Sequence, residues 1–380
     1  MKRRRRPAVV SAGVEWHRRA LGLVTATLAM FGIAAVYGAS SIVAVEQGQP
    51  AAFYALRQLL GVLVGGVALV IAARMDYHLW RRLAWPMILL AIAVLLIPFI
   101  PGLRALSPEI NGARRWLRLG PFQLQPSEFA KFAVIAWCAM LAAKKGETIR
   151  EFKRGILPFL AVVGPLSALI LFQPNLSTAT LVALLAGVVM FTAGAKIGHF
   201  LLLLVAAIPI GFRELTQVQY RLARVSAFFS AGPDTAQTGW QIQQSLIGMG
   251  AGGLIGVGFG EGLQKLGYLP LAYSDFIFST IGEEWGFVGV GLVVLLYAIY
   301  VWMGILVARR APDPFGMFLA AGITAMIGIT AVLHMAVTLA LVPTTGLPLP
   351  FVSFGRSALL VSLFATGVLI NVGRQGARAG

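Results

Sequence analysis

Three groups of residues sit where chemistry would need them. The first is a lone carboxylate, Asp275, in the run Leu269-Pro270-Leu271-Ala272-Tyr273-Ser274-Asp275-Phe276-Ile277-Phe278, where a long glycine-containing segment meets an apolar one. An aspartate at a helix start is commonly an N-cap or a first-turn partner of the helix dipole. At the mouth of a membrane cavity it can also serve as a general base. The residues alone leave both readings open.

The second group is ionisable side chains inside apolar runs, where insertion costs roughly 2.5–3.5 kcal/mol each and a function or a partner is expected. Glu128 and Lys131 lie three apart in Gln125-Pro126-Ser127-Glu128-Phe129-Ala130-Lys131, so a helix puts them on one face, within pairing reach. They read either as a self-satisfying ion pair or as part of a binding site. Glu283 and Glu284 are adjacent and point about 100° apart on a helix, so they cannot both avoid the protein interior or lipid; pairing with an arginine elsewhere in the bundle is the structural reading. The third group is cationic: Arg114, Arg115 and Arg118, then Arg221 and Arg224, then Lys265. The guanidinium fork binds phosphate oxygens in pairs, and several together suit a pyrophosphate. Contact with lipid headgroups is the plainer reading of any one of them.

Some patterns carry nothing. Gly248-Met249-Gly250-Ala251-Gly252-Gly253 satisfies GxGxxG but lacks the soluble strand–turn–helix setting of a dinucleotide site. Glycines at this density fit close packing or a re-entrant backbone. There is no Walker A or HExxH sequence, and Cys138 is the single cysteine, which rules out an intrachain disulfide or a CxxC metal site.

Composition says what must position these residues. Of 380 residues, 58% are hydrophobic and 12% charged, with mean hydropathy +0.82. Soluble domains carry about 25% charged residues, so the sequence predicts an all-α polytopic membrane protein. Ten spans are expected: Ala20–Val45, Phe53–Ala73, Leu83–Ile100, Gln125–Ala143, Ile156–Phe172, Leu176–Gly194, Ile197–Phe212, Phe276–Ala308, Phe315–Leu341 and Phe354–Val372. They form one membrane domain over 1–380, with a basic arm at 1–19, a large loop at 213–275 before the eighth span, and a tail at 373–380. An even number of spans leaves both termini on one side. With that side cytoplasmic, 20 of the 31 basic residues and 5 of the 14 acidic ones fall inside, as the positive-inside rule requires. The net charge of +17 is therefore a topology signal and not a nucleic-acid footprint. The arm Lys2-Arg3-Arg4-Arg5-Arg6 precedes an apolar stretch longer than a cleaved signal and reads as a retained anchor. The long segments, near 101–124 and 213–275, are predicted to be extracytoplasmic, and function is expected there.

Ordered motifs then carry a resemblance. Asn111 to Trp116, Gln125 to Lys131, Gln173-Pro174, Tyr268-Leu269-Pro270, Ser274 to Phe278, Gly282-Glu283-Glu284 and Pro348 to Gly355 succeed one another in the order found in the SEDS proteins (shape, elongation, division and sporulation). The chain resembles that family from first span to last. Gln244-Ser245-Leu246 and Gln264-Lys265 lean toward its division-type branch. The resemblance implies a peptidoglycan glycosyltransferase acting on lipid II and its growing lipid-linked glycan, in the bacterial cytoplasmic membrane, with the site facing outward. It implies a class B penicillin-binding protein as transpeptidase partner, and other division or elongation proteins besides.

By resemblance Asp275 matches the catalytic aspartate. Lys131, Glu128, Arg114, Arg115, Arg221, Arg224, Lys265, Glu283, Glu284 and Ser353 are expected on the substrate side. No cofactor is demanded; a divalent cation, magnesium or manganese, is compatible with Asp275. Departures stand at Asn175, Leu271 and Arg356, where the family usually has Asp, Glu and Gly. A lipid II flippase and an inactive division scaffold are the competing readings.

Overall fold

The computed structural model describes residues 9–109, 112–120, 122–216, 228 and 236–379. Ten helices match the ten expected spans: α1 (Val9–Glu46), α2 (Phe53–Arg74), α3 (His78–Leu96), α4 (Pro126–Lys145), α5 (Leu157–Phe172), α6 (Leu176–Thr192), α7 (Ile197–Thr216), α9 (Ile277–Arg309), α10 (Pro314–Thr338) and α11 (Arg356–Ala379). Nine stretches among the described residues are long and apolar enough to cross a bilayer; α6, at 17 residues, is shorter. This is a multi-pass, all-α membrane protein. One further helix, α8 (Ala236–Ala251), lies inside the long segment that precedes α9.

Helix α4 occupies the middle of the bundle, with Ala130, Ala133, Ala136 and Ala139 buried along it. Small residues at that spacing let neighbouring helices approach closely, which is how membrane helices gain packing without a hydrophobic drive. Phe132, Trp137, Phe159, Phe278 and Phe315 fill the space around it. Helices α2 and α7 keep rows of exposed leucine and valine, such as Leu60, Val67, Leu204 and Val205, as lipid-facing helices do. Successive helices alternate in direction. One end of the bundle therefore gathers the α2–α3, α4–α5 and α9–α10 turns with the end of α11. There Asp76 accepts from Gln375, and Tyr77 donates to Asp313. The other end gathers the long segments. The first of these holds 3-10 turns and a hairpin, β1 (Leu117–Leu119) and β2 (Phe122–Leu124), paired antiparallel with Leu117 opposite Leu124.

In the described part of the second long segment, the glycine run after α8 pairs with α9. Helix α9 breaks at Gly286 (φ 64°, ψ −161°). The break frees the Glu283 and Glu284 carbonyls and the Phe287 and Val288 amides from their own helix. The glycine run takes all four: Val257 N donates to Glu283 O (3.0 Å), Gly258 N to Glu284 O (3.2 Å), Phe287 N to Gly253 O (2.9 Å) and Val288 N to Leu254 O (3.1 Å). At 1.5 Å per residue these partners lie roughly 9–16 Å along α9 from Ile277, so residues 252–262 dip alongside α9 and return, with Gly252 buried against it and Leu254 and Ile255 exposed. Irregular backbone is tolerated at such depth only where it is buried in protein or lines a cavity.

Small size is essential there. A methyl at Gly252 would overlap the Gly282 carbonyl, and one at Gly256 (φ +84°) would overlap that of Glu284. Gly256→Ala should therefore cost about 2 kcal/mol or more and visibly lower the melting temperature of purified protein. Gly250→Ala, with nothing within 4 Å of the added carbon, is the control that should melt like wild type. Equal melting of the two variants would mean that the dip does not need glycine.

Candidate functional site

Asp275 is half-buried and lies two residues before α9. The N-cap position belongs to Phe276, which makes no side-chain cap, and Asp275 stands one residue before it. Its backbone is held from behind. Asp275 N and Ser274 N both donate to Leu271 O at 3.0 Å, closing a turn in which Leu271 sits in the left-handed region at φ 58°. That conformation costs a non-glycine residue about 1 kcal/mol or more and tends to be kept where a site over-determines it. Phe351, at φ 70°, bends a second segment in the same way.

The two bent segments are bonded to each other. Phe354 N donates to Tyr273 O (3.0 Å), and Ser353 Oγ donates to Ser274 O (2.7 Å) while accepting from Leu349 N (2.8 Å). Ser353 is thus buried and used in both directions. Its place is that of a clamp on the Asp275 turn, where resemblance had put it on the substrate side. Gln58 of α2 reaches over to donate to Ser353 O (3.2 Å). The rings of Tyr54, Tyr273 and Phe354 pack together around the clamp, with centroids 4.6–5.7 Å apart. Burial, the neighbouring Tyr54 hydroxyl and the negative charge of Asp275 all push the Tyr273 phenol up, so it stays protonated beside the carboxylate.

Helix α4 joins this end through Gln125 N, which donates to Ser357 Oγ at 3.0 Å. One turn along, Lys131 Nζ meets Glu128 Oε2 at 2.8 Å, and both side chains are about 95% buried. An ammonium has three donors and Lys131 spends one on protein. Ser127 Oγ, Gln58 Oε1 and Thr280 Oγ1 are likewise buried without a protein partner. Unspent polar atoms on α2, α4 and α9 at one end of a membrane bundle are the mark of a site that takes a polar ligand or water.

The remaining expected residues divide. Lys265 is buried against Glu284 Oε1 (3.4 Å) and donates to Gly260 O. Glu283 accepts from the Leu263 (2.7 Å) and Gln264 (3.3 Å) amides. All three are engaged in holding the re-entrant segment. Arg114 bridges Ser107 O and Glu109 at the rim, about 41% exposed, and the half-buried Arg115 lies beside it. Arg221 and Arg224 fall outside the described residues. At the departures, Asn175 caps α6 by accepting from Thr178 N (3.3 Å), a task that aspartate would share. Leu271 shapes the Asp275 turn.

Arg57 and Gln58 were not anticipated. Both lie one turn into the expected second span, and the rule that flagged Glu128 would have flagged Arg57. Among the described residues no group of three or more His, Cys, Asp or Glu could hold a metal ion.

Comparison with known proteins places this geometry. The FtsW/RodA/SpoVE family model, described as cell cycle protein, matches residues 18–377. A probable peptidoglycan glycosyltransferase FtsW of Trichlorobacter lovleyi is 43% identical over 350 residues, covering 92% of this chain and 91% of that one. Stage V sporulation protein E of Bacillus subtilis is 38% identical over 355 residues, covering 93% and 96%. Among solved structures, a chain from a peptidoglycan synthase complex coordinating polymerization and crosslinking superposes with TM-score 0.74 at 26% identity, over 94% of this chain and 97% of that one. The rod shape determining protein RodA of Thermus thermophilus gives TM-score 0.69 at 26% identity, over 93% and 96%.

Proposed function

The chain belongs to the FtsW/RodA/SpoVE family, and we propose that it is a peptidoglycan glycosyltransferase that polymerises lipid II at the outer face of the cytoplasmic membrane. The observation that carries this reading is the Asp275 turn: a carboxylate off the cap position, clamped from behind by Ser353 and Phe354, at the end of the bundle where buried polar atoms stand unspent. In the reaction the 4-hydroxyl of one lipid-linked sugar attacks the anomeric carbon of another. The new C–O bond forms as the bond to pyrophosphate breaks, and Asp275 takes the hydroxyl proton. Such a base contributes typically 10²–10⁴-fold. The negative charge that develops on the departing pyrophosphate calls for fixed cations, and Lys131, with Arg114 and Arg115 at the rim, is the candidate source. A magnesium or manganese ion at Asp275 would be held by that one protein carboxylate and the substrate's own phosphates.

A transpeptidase of the class B penicillin-binding type is the partner that fits, because glycan strands require crosslinking; the similarity to a chain of a synthase complex supports it. A flippase reading gains little, since the buried charges of α4 and α9 are paired within the protein. The test is incubation of the purified, partner-bound protein with labelled lipid II. Glycan strands are expected; lipid II moved across vesicles with no strands formed would overturn the proposal in favour of a flippase.

Orientation is tested separately. A reporter fused after Gly380 should read cytoplasmic and one inserted near Asp234 extracytoplasmic, because 20 of the 31 basic residues fall on the terminal side. Reversed readings at both positions would place Asp275 on the wrong face.

A further inference from the structure

Two arginines outside the expected set stand near each other at the end of the bundle that carries the Asp275 clamp. Helices α2 and α11 run parallel, and their register is fixed by glycines: a Cβ at Gly61 would touch Leu359 Cδ2 at 3.0 Å, and one at Gly65 would overlap Leu363. One turn back along each helix lie Arg57 and Arg356, at the same level and on the same seam. The Arg57 guanidinium stacks on the Phe53 ring at 4.0 Å, which turns it toward the end of the bundle. Gln58, the next residue, bonds the clamp itself at Ser353 O. The charge of Arg57 acts on Arg356. Neither guanidinium is in an ion pair among the described residues.

Two like charges held side by side without an acid repel each other, and the α11 N-terminus adds its own positive end. The Gly61 and Gly65 contacts are with Leu359 and Leu363 and do not involve residue 57, so the register of the seam does not itself call for a cation there. An anion would relieve the repulsion, and two guanidinium forks offer paired donors to phosphate oxygens. Arg57 is exposed and Arg356 half-buried, so the pair is reachable from the lipid–water boundary at this end.

We infer that Arg57 and Arg356 form a clamp for a lipid-borne phosphate group, next to the turn that carries Asp275. This rests on the reading of the chain as acting on a lipid-linked pyrophosphate. The phosphate could be the substrate's own or that of an ordinary anionic phospholipid, and the chemistry at the arginines is the same.

The experiment is native mass spectrometry of the purified full chain titrated with undecaprenyl pyrophosphate or phosphatidylglycerol, with phosphatidylcholine as the neutral lipid. Arg57→Gln with Arg356→Gln should weaken binding of undecaprenyl pyrophosphate by about tenfold or more. Arg57→Lys with Arg356→Lys should fall between, because a point charge replaces the fork. Loss confined to undecaprenyl pyrophosphate assigns the clamp to the substrate; parallel loss of phosphatidylglycerol assigns it to lipid phosphate in general. If the glutamine pair melts like wild type and binds both anionic lipids as wild type does, the clamp does not exist. Should the glutamine pair fail to fold, Arg356→Gln alone carries the same test. Binding is read without turnover, so the clamp can fail while polymerisation stands. Equally, the polymerase reading can fail at Asp275 while the clamp stands.

Discussion

Asp275→Asn should abolish glycan-strand synthesis while leaving the protein folded. Asparagine keeps the size of the side chain and most of its hydrogen bonding but does not accept a proton as a carboxylate does, so the rate should fall by roughly 10²–10⁴-fold. The structure strengthens the control half of this expectation. Phe276 holds the N-cap of α9, and the Asp275 turn is held through backbone carbonyls, Leu271 O, Tyr273 O and Ser274 O. Those bonds are made by the backbone of the turn, and the amide keeps the size and most of the hydrogen bonding of the carboxylate, so melting temperature and partner binding should stay near wild type. The assay is polymerisation of lipid II by the partner-bound protein, with thermal melting run on the same preparation. Near wild-type synthesis by the variant would remove Asp275 from the chemistry and leave a scaffold or a flippase as the better account.

The spans were legible because a bilayer imposes length and hydropathy on each helix separately. All ten expected spans found a helix, and even the short Ile197–Phe212 span is the body of α7. Asp275 was legible as a candidate because its neighbours carry a family motif. What anchors it was not. Ser353 lies 79 residues from its Ser274 partner, and Gln58 lies 295 from its Ser353 partner. Such pairings are products of the tertiary fold and leave no local pattern.

The glycine run shows the same limit in another form. Density alone suggested a re-entrant backbone, but its partner is a break in α9 at Gly286, one glycine among several in that helix. Glu283 and Glu284 were chosen for their charge at membrane depth, and Lys265 as one of the outer cations. The structure spends them on fixing the dip, which composition had no means of distinguishing from substrate contact. Arg57 is the opposite case: an in-span cation as readable from the sequence as Lys131.

Lys131 is where stability and activity can be separated. With the Glu128–Lys131 pair buried and 2.8 Å apart, removing one partner strands a charge, at a cost of about 3–5 kcal/mol. Lys131→Ala should therefore lose both melting temperature and polymerisation, and by itself it decides nothing. Adding Glu128→Ala removes the stranded carboxylate, and replacing a whole buried pair is often neutral for stability, so the double variant should melt close to wild type. Polymerisation should nevertheless stay lost. The ammonium spends one of its three donors on Glu128, and the other two are what a phosphate oxygen in the cavity would use. Arginine at 131 should restore little, since its planar fork is larger and differently hydrated than the compact ammonium. If the double variant regains both melting temperature and strand synthesis, Lys131 serves only to neutralise Glu128, and the cation for the leaving group must be sought at the arginines.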